Sequence, residues 1–237
     1  MARHAIILAT DPKLLTSARG RGDEAVDYTT RVGGLGLLKR AILSASRSGH
    51  ERCHVLLGEG GQWLQEHLSQ DKQLPESLQW LSVDALPGGE HQAIEQLARE
   101  VDRPFTLIRA NRVFAVETLN KLRENTGLAP LVVGVAAGAT GDAVRDCGLY
   151  VAERRVLEAA RREKEAAAPL EAALAGMISE GSRAKEFATW GPLTPEELDA
   201  LIASGQKQSV YDAYFLSLNE GDLRSIIGRP RGDAIYD

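Results

Sequence analysis

The sequence predicts an α/β fold built on a mostly parallel sheet, and three observations carry that prediction. Short apolar runs of strand length recur along the chain, at residues 4–9, 53–57, 78–83, 105–108 and 131–135. The segments between them return apolar residues at helical spacing. From His4 to Leu57 the order is strand, loop, helix, strand, which is the βαβ pattern that lays two strands parallel.

Each element has its own signal. Residues 4–9 (His-Ala-Ile-Ile-Leu-Ala) read as a first strand buried on both faces. Residues 10–31 hold Pro12, Gly20 and Gly22 with Lys13, Arg19, Arg21 and Arg31 and show no apolar period, so they read as a long loop. Leu37, Leu38, Ala41, Ile42 and Ala45 then mark a helix, with Gly49 as its C-terminal stop. Helices are expected at 63–68, at 90–101 with Ala93, Leu97 and Val101 facing inward, and at 116–124. A Gly/Ala-rich turn at 136–141 leads to a strand at 148–152. Residues 153–179 are rich in Ala, Glu and Arg, and Pro169 separates two helices. A late strand is expected at 185–189, and Thr194-Pro195-Glu196-Glu197 reads as a helix start, with Thr as the cap and Pro in the first position. A last amphipathic stretch covers 210–227. This gives one α/β domain over 1–205 and a helical extension or junction over 206–237, with no internal repeat.

Composition narrows the class. The chain has 237 residues, enough for a sizeable core, and its 43% hydrophobic and 26% charged residues are ordinary for a globular protein. No apolar run approaches the roughly eighteen residues that a membrane helix needs. The N-terminus turns polar too soon for a secretory signal. Cys53 and Cys147 lack metal-ligand spacing, so a reducing cytoplasm is the expected setting. A net charge of −5 gives no case for a nucleic-acid partner.

The basic loop lies between the first strand and the first helix, at the carboxyl end of a strand, where open α/β sheets bind ligands. The amides of Gly20 and Gly22 with the side chains of Lys13, Arg19 and Arg21 would suit a triphosphate; a solvated loop is the alternative. Five further strings stand in order behind it. They are Arg31-Val32-Gly33-Gly34-Leu35-Gly36-Leu37-Leu38-Lys39-Arg40, Leu86-Pro87-Gly88-Gly89-Glu90-His91-Gln92-Ala93, Leu107-Ile108-Arg109-Ala110-Asn111-Arg112-Val113-Phe114, Asp146-Cys147-Gly148-Leu149-Tyr150-Val151 and Trp190 through Leu198. This ordered set resembles the sugar-phosphate nucleotidyltransferase family. The resemblance is greatest to the cytidylyltransferase-like domain that precedes a CDP-alcohol phosphatidyltransferase domain, and residues 223–230 resemble the junction between the two.

The resemblance implies a three-layer α/β/α sandwich with a mostly parallel mixed sheet, in the nucleotide-diphospho-sugar transferase (GT-A, Rossmann-like) architecture. It implies a nucleotide, CTP first, and a phosphorylated polyol as substrates, with Mg²⁺ as cofactor. Lys13, Arg19 and Arg21 become the candidate catalytic cations. Ala9, Thr10, Gly33, Gly34, Gly88, Gly89, Ala93 and Arg109 become candidate nucleotide contacts, and Asn111 and Asp146 candidate metal ligands. A homodimer is compatible, and a membrane phosphotransferase would bring the domain to the inner face of the membrane. The sequence also departs from the family. No Gly-x-Gly-Thr-Arg turn followed by Pro-Lys precedes Val32, Asn111 stands where the family has a metal-binding Asp, and Gly191-Pro192-Leu193 replaces a carboxylate-bearing segment. A catalytically inactive domain for nucleotide sensing or assembly is therefore the alternative function. Arg109 has two readings, a phosphate contact or a salt bridge on the sheet rim. Asp146 likewise is a ligand or a turn residue. An unrelated dinucleotide binder would want a Gly-x-Gly-x-x-Gly opening the first helix, which Gly33-Gly34-Leu35-Gly36 does not supply.

Overall fold

A computed structural model describes residues 1–15, 27–29, 31–32, 35–113, 116–124, 126, 130–136, 146–179, 183–187 and 216–217. Its elements are β1 (His4–Ala9), α1 (Pro12–Leu15), β2 (Arg31–Val32), β3 (Leu35–Gly36), α2 (Leu37–Arg47), β4 (Arg52–Leu57), α3 (Gln62–Leu68), β5 (Leu78–Ser82), a 3₁₀ turn (Val83–Ala85), α4 (Gly89–Glu100), β6 (Phe105–Arg109), β7 (Arg112–Val113), α5 (Val116–Arg123), β8 (Leu131–Ala136), β9 (Asp146–Ala152), α6 (Arg154–Ala160), α7 (Pro169–Ser179), β10 (Arg183–Phe187) and β11 (Leu216–Ser217).

Seven strands form one sheet in the order β10-β8-β9-β6-β1-β4-β5. The β1/β4, β4/β5, β1/β6 and β8/β10 pairs are parallel, and β9 alone runs against its neighbours β6 and β8. This is the mostly parallel mixed sheet that the sequence led us to expect. An interior strand, β1, explains the short apolar runs. In β1, Ala5, Ile7 and Ala9 enter one core, where Leu38 and Ile42 of α2, Leu64 of α3 and Leu119 of α5 meet them. Ile6 and Leu8 point the other way, toward Ile94 and Leu97 of α4, Val156 of α6 and Leu170 of α7. A strand covered on both faces has no polar face to alternate with, so it reads as a continuous hydrophobic run. Two cores on opposite faces of one sheet make the three-layer α/β/α sandwich.

The stops and starts fit their residues. Gly49, at φ +82°, ends α2 in the left-handed region that only glycine enters freely. Pro169 is the first residue of α7, where its missing N–H costs nothing, so it does separate two helices. Ala93, Leu97 and Val101 are all buried. Among the described residues no helix is long and apolar enough to cross a membrane. Burial pushes the Cys53 thiol up to about 12, which leaves it a small core residue and no nucleophile.

The structure corrects three readings. The late strand sits at Arg183–Phe187, two residues earlier than expected, in parallel register with β8. Leu216–Ser217, inside the amphipathic C-terminal stretch, is extended and pairs antiparallel with Arg112–Val113, so pairing overrides a helical pattern there. The segment after β1 is not wholly loop. Asp11 caps a helical turn at Pro12–Leu15, its carbonyl accepting from the Leu14 and Leu15 amides, and Leu14, Leu15 and Tyr28 are all core residues. The turn at 137–141, the helix start at Thr194, the Gly191-Pro192-Leu193 segment and the junction at 223–230 lie outside the described residues.

Candidate functional site

Parallel strands place their carboxyl ends on one edge of the sheet, and the order of these strands makes a crevice there. The chain leaves β1 through α2 on one face to reach β4, and leaves β5 through α4 on the other face to reach β6. β1 and β6 are neighbours whose outgoing connections run toward opposite edges of the sheet, to β4 on one side and to β8 on the other, which is the switch point where open α/β sheets bind ligands. A cleft of about 670 Å³ opens at this edge.

Its floor is the end of β1 together with the turn into α1. Thr10, Asp11 and Pro12 line it, with Leu8 beneath. Tyr28 is buried below them, and its hydroxyl accepts the Asp11 amide at 3.1 Å. The backbone ties Tyr28 in twice more, its amide donating to Leu14 and its carbonyl accepting from Leu38. Burial pushes the phenol well above its ordinary range, so it stays protonated. Trp63 Nε1 donates to the Leu15 carbonyl at 3.0 Å and holds the same turn from α3. Gly58, at the end of β4, donates its amide to the Ala9 carbonyl at 3.1 Å. A Cβ on Gly58 would stand 3.0 Å from the Thr10 Cα and 2.9 Å from Leu15, so only glycine lets the two segments approach this closely.

One wall comes from the start of α4, through Gly88, Gly89, Glu90 and His91. The Gly88 amide is already taken by Gln92 Oε1 at 3.1 Å. His91 Nε2 donates to the Glu163 carbonyl, and Glu90 Oε1 accepts the Leu170 amide. These two bonds fasten the segment that carries Ala166, Ala167 and Ala168 along the rim of the cleft. Burial raises the Glu90 carboxyl above the usual range and Glu171 adds to the rise, although the Leu170 amide pulls the other way.

The opposite wall holds Arg109, Asn111 and Glu171. Arg109 Nη1 and Nη2 each donate to one Glu171 oxygen at 2.7 Å, and Nε donates to the Tyr150 hydroxyl at 3.1 Å. The guanidinium also lies 5.8 Å from the centre of the Tyr150 ring. Arg109 thus makes the salt bridge named as one of its two readings, and it does so on the wall of the cleft. Asn111 Nδ2 donates to Asp11 Oδ2 at 3.3 Å, while its own Oδ1 is buried with no hydrogen-bond partner among the described residues.

The structure therefore brings Thr10, Gly88, Gly89, Arg109 and Asn111 to one cleft. Ala9 and Ala93 do not line it; both are buried, Ala9 in one core and Ala93 in the other. Asp146 opens β9 at this edge of the sheet, opposite Val135. Arg19, Arg21, Gly33, Gly34 and the side chains of Lys13 and Asp146 lie outside the described residues. Tyr28, Gly58 and Glu171 were not singled out from sequence. Gly58 carried a local signal, a glycine directly after an apolar run; the other two carried none.

No protein-family model and no curated protein matches this sequence. Solved structures do match its fold. An inositol-1-phosphate CTP transferase from T. maritima superposes with a TM-score of 0.55 at 18% identity, over 78% of this chain and 85% of its own. A nucleotidyl transferase from Methanothermobacter gives 0.54 at 15%, over 77% and 86%. A UDP-glucose pyrophosphorylase from Acinetobacter gives 0.51 at 14%, over 79% and 86%. At such identities the likeness is one of architecture: the chain has the three-layer α/β/α fold of nucleotidyltransferases.

Proposed function

We propose that this chain is a nucleotidyltransferase domain that takes CTP and a phosphorylated polyol and forms a CDP-alcohol. The observation that carries the reading is the Asp11–Asn111 pair at the switch point between β1 and β6, inside a cleft of ligand size. In the reaction an oxygen of the acceptor phosphate attacks the α-phosphorus of CTP. A new P–O bond forms, the α–β bridging bond breaks, and its electron pair leaves with pyrophosphate. The residues of the cleft supply position and charge, which is most of what phosphoryl transfer asks of a protein.

Mg²⁺ fits the pair. Magnesium takes one or two carboxylates together with substrate phosphates and waters. Asp11 offers a carboxylate, and Asn111 Oδ1, unpartnered among the described residues, is a second hard oxygen beside it. The ion would neutralise phosphate charge at this point. Asp11 thereby stands in for the carboxylate missing at position 111, and Asp146 would add a second from β9. The Thr10 and Gly88–Gly89 backbone would border the nucleotide, with Lys13, Arg19 and Arg21 of the loop on its triphosphate.

A second reading has an observation of its own. The described wall carries Asp11, Glu59, Glu90 and Glu171 against one arginine, and among the described residues no three acidic, His or Cys side chains gather into a metal site. This favours a domain that binds a nucleotide without turning it over, for sensing or for assembly with a CDP-alcohol phosphatidyltransferase. Calorimetry with CTP and Mg²⁺, followed by a pyrophosphate-release assay over a panel of polyol phosphates, separates the two. Pyrophosphate release supports the transferase. CTP binding without release supports the second reading, and absence of CTP binding refutes both.

A further inference from the structure

Arg109 is the one permanent cation on the described wall of the cleft. Two independent holds fix it. The Tyr150 hydroxyl takes Nε and the Tyr150 ring lies against the guanidinium, so its orientation does not depend on Glu171. Glu171 takes the outer edge, one oxygen to each Nη. Three of the five N–H donors are thus engaged, and the edge that Glu171 covers is the one with the geometry for bidentate recognition of a carboxylate or a phosphate.

We infer that Glu171 is a built-in occupant of an anion subsite, and that a phosphomonoester of the ligand binds Arg109 by taking its place. Four features make the exchange favourable. The pair is only part-buried, with side-chain exposures of 27% and 32%, so water is at hand to receive the released carboxylate. A phosphomonoester carries nearly two negative charges at neutral pH against the carboxylate's one, with three acceptor oxygens against two. Glu171 also sits in the first turn of α7, where the helix favours a negative charge even after Arg109 has let go. Glu90, on the neighbouring helix, repels the same carboxylate. The subsite deepens the transferase reading by giving the cleft a preference for phosphorylated over unphosphorylated polyols, and it rests on that reading only for which ligand brings the phosphate.

Inorganic phosphate and inositol 1-phosphate, titrated calorimetrically into the whole chain, test it. Glu171→Gln keeps the shape but drops the charge of the competitor, and binding of both probes should tighten about tenfold, since apparent affinity scales with the fraction of protein whose subsite is open. Arg109→Gln should abolish binding of inorganic phosphate. A direct readout on the unmodified protein guards against a folding defect in either variant. The ¹⁵Nε–H resonance of Arg109 should shift on titration with phosphate and stay still with unphosphorylated inositol. Unchanged or weaker phosphate binding in Glu171→Gln, or an Arg109 resonance that ignores phosphate, overturns the inference. Tighter phosphate binding without pyrophosphate release from CTP leaves the subsite standing and removes the transferase reading. Release with no change in phosphate affinity does the reverse.

Discussion

His50 gives this protein a pH limit whose size can be worked from its surroundings. The ring is buried between the end of α2 and β6. Nδ1 lies 3.0 Å from the Ala45 carbonyl and 2.8 Å from the Ser48 hydroxyl, and Nε2 lies 2.9 Å from the Thr106 hydroxyl. A carbonyl only accepts, so Nδ1 carries the proton and Nε2 of the neutral ring accepts from Thr106. Burial lowers the imidazole pKa from 6.5 to about 4, the Ala45 carbonyl opposes that, and Arg123 and His4 add to the lowering. The unfolded chain therefore binds this proton first. The contribution of the neutral ring is complete above the unfolded pKa of 6.5 and is lost as pH falls through the window down to about 4. Linkage puts the full loss at about 3 kcal/mol and the loss by pH 5 at about 2 kcal/mol, a large fraction of the margin of a typical domain. Urea unfolding of the wild type and of His50→Gln at pH 7.5, 6.5, 5.5 and 5.0, all about where the ring titrates in the unfolded chain, measures it. The variant starts less stable because it loses shape in a packed site, but its stability should fall less steeply over the window. Parallel slopes for the two proteins would refute the reasoning. The lowered pKa values of His4 and His54 act with the same sign, so the variant keeps part of the slope.

The site yields three other expected outcomes. Tyr28→Phe removes the hydroxyl that accepts the Asp11 amide and should cost about 1 kcal/mol in chemical denaturation, with little change in fold by circular dichroism. Gly58→Ala drives a methyl into the Thr10 backbone and Leu15; a loss of about 1–3 kcal/mol is expected, with weaker CTP binding by calorimetry because the floor of the cleft spreads. Asp11→Asn should reduce the gain in CTP affinity on adding Mg²⁺ by about tenfold or more, measured against the variant's own metal-free affinity; an undiminished gain would place the ion elsewhere.

Comparing these residues shows what a sequence can display. The strands β1, β4 and β6 were legible because burial on both faces is a local property: each residue of Ala5–Ala9 is apolar whatever it packs against. Pro169 and Gly49 were legible for the same reason, since a helix start and a helix stop are set by a residue's own backbone. The segment after β1 was not legible: it reads as loop because the one helical turn at Pro12–Leu15 is too short to show a period, and nothing near Tyr28 in the chain says that it returns beneath Asp11.

The cleft is illegible in another way, because its chemistry belongs to pairs. Asp11 and Asn111 are a hundred positions apart, and Arg109 and Glu171 sixty-two. Each pair meets only through the strand order. The register Leu8↔Arg109 sets the end of β6 beside the end of β1, which brings Asn111 within reach of Asp11. Taken singly, position 111 is a missing carboxylate; taken with β1, it stands hydrogen-bonded to Asp11, which is the carboxylate of the proposed site. The same holds for Arg109, for which the sequence left a phosphate contact and a salt bridge as alternatives. The fold shows the salt bridge with Glu171, and under the proposed exchange the phosphate contact is a second state of the same guanidinium; a chain read residue by residue has no means of placing the competitor beside its site.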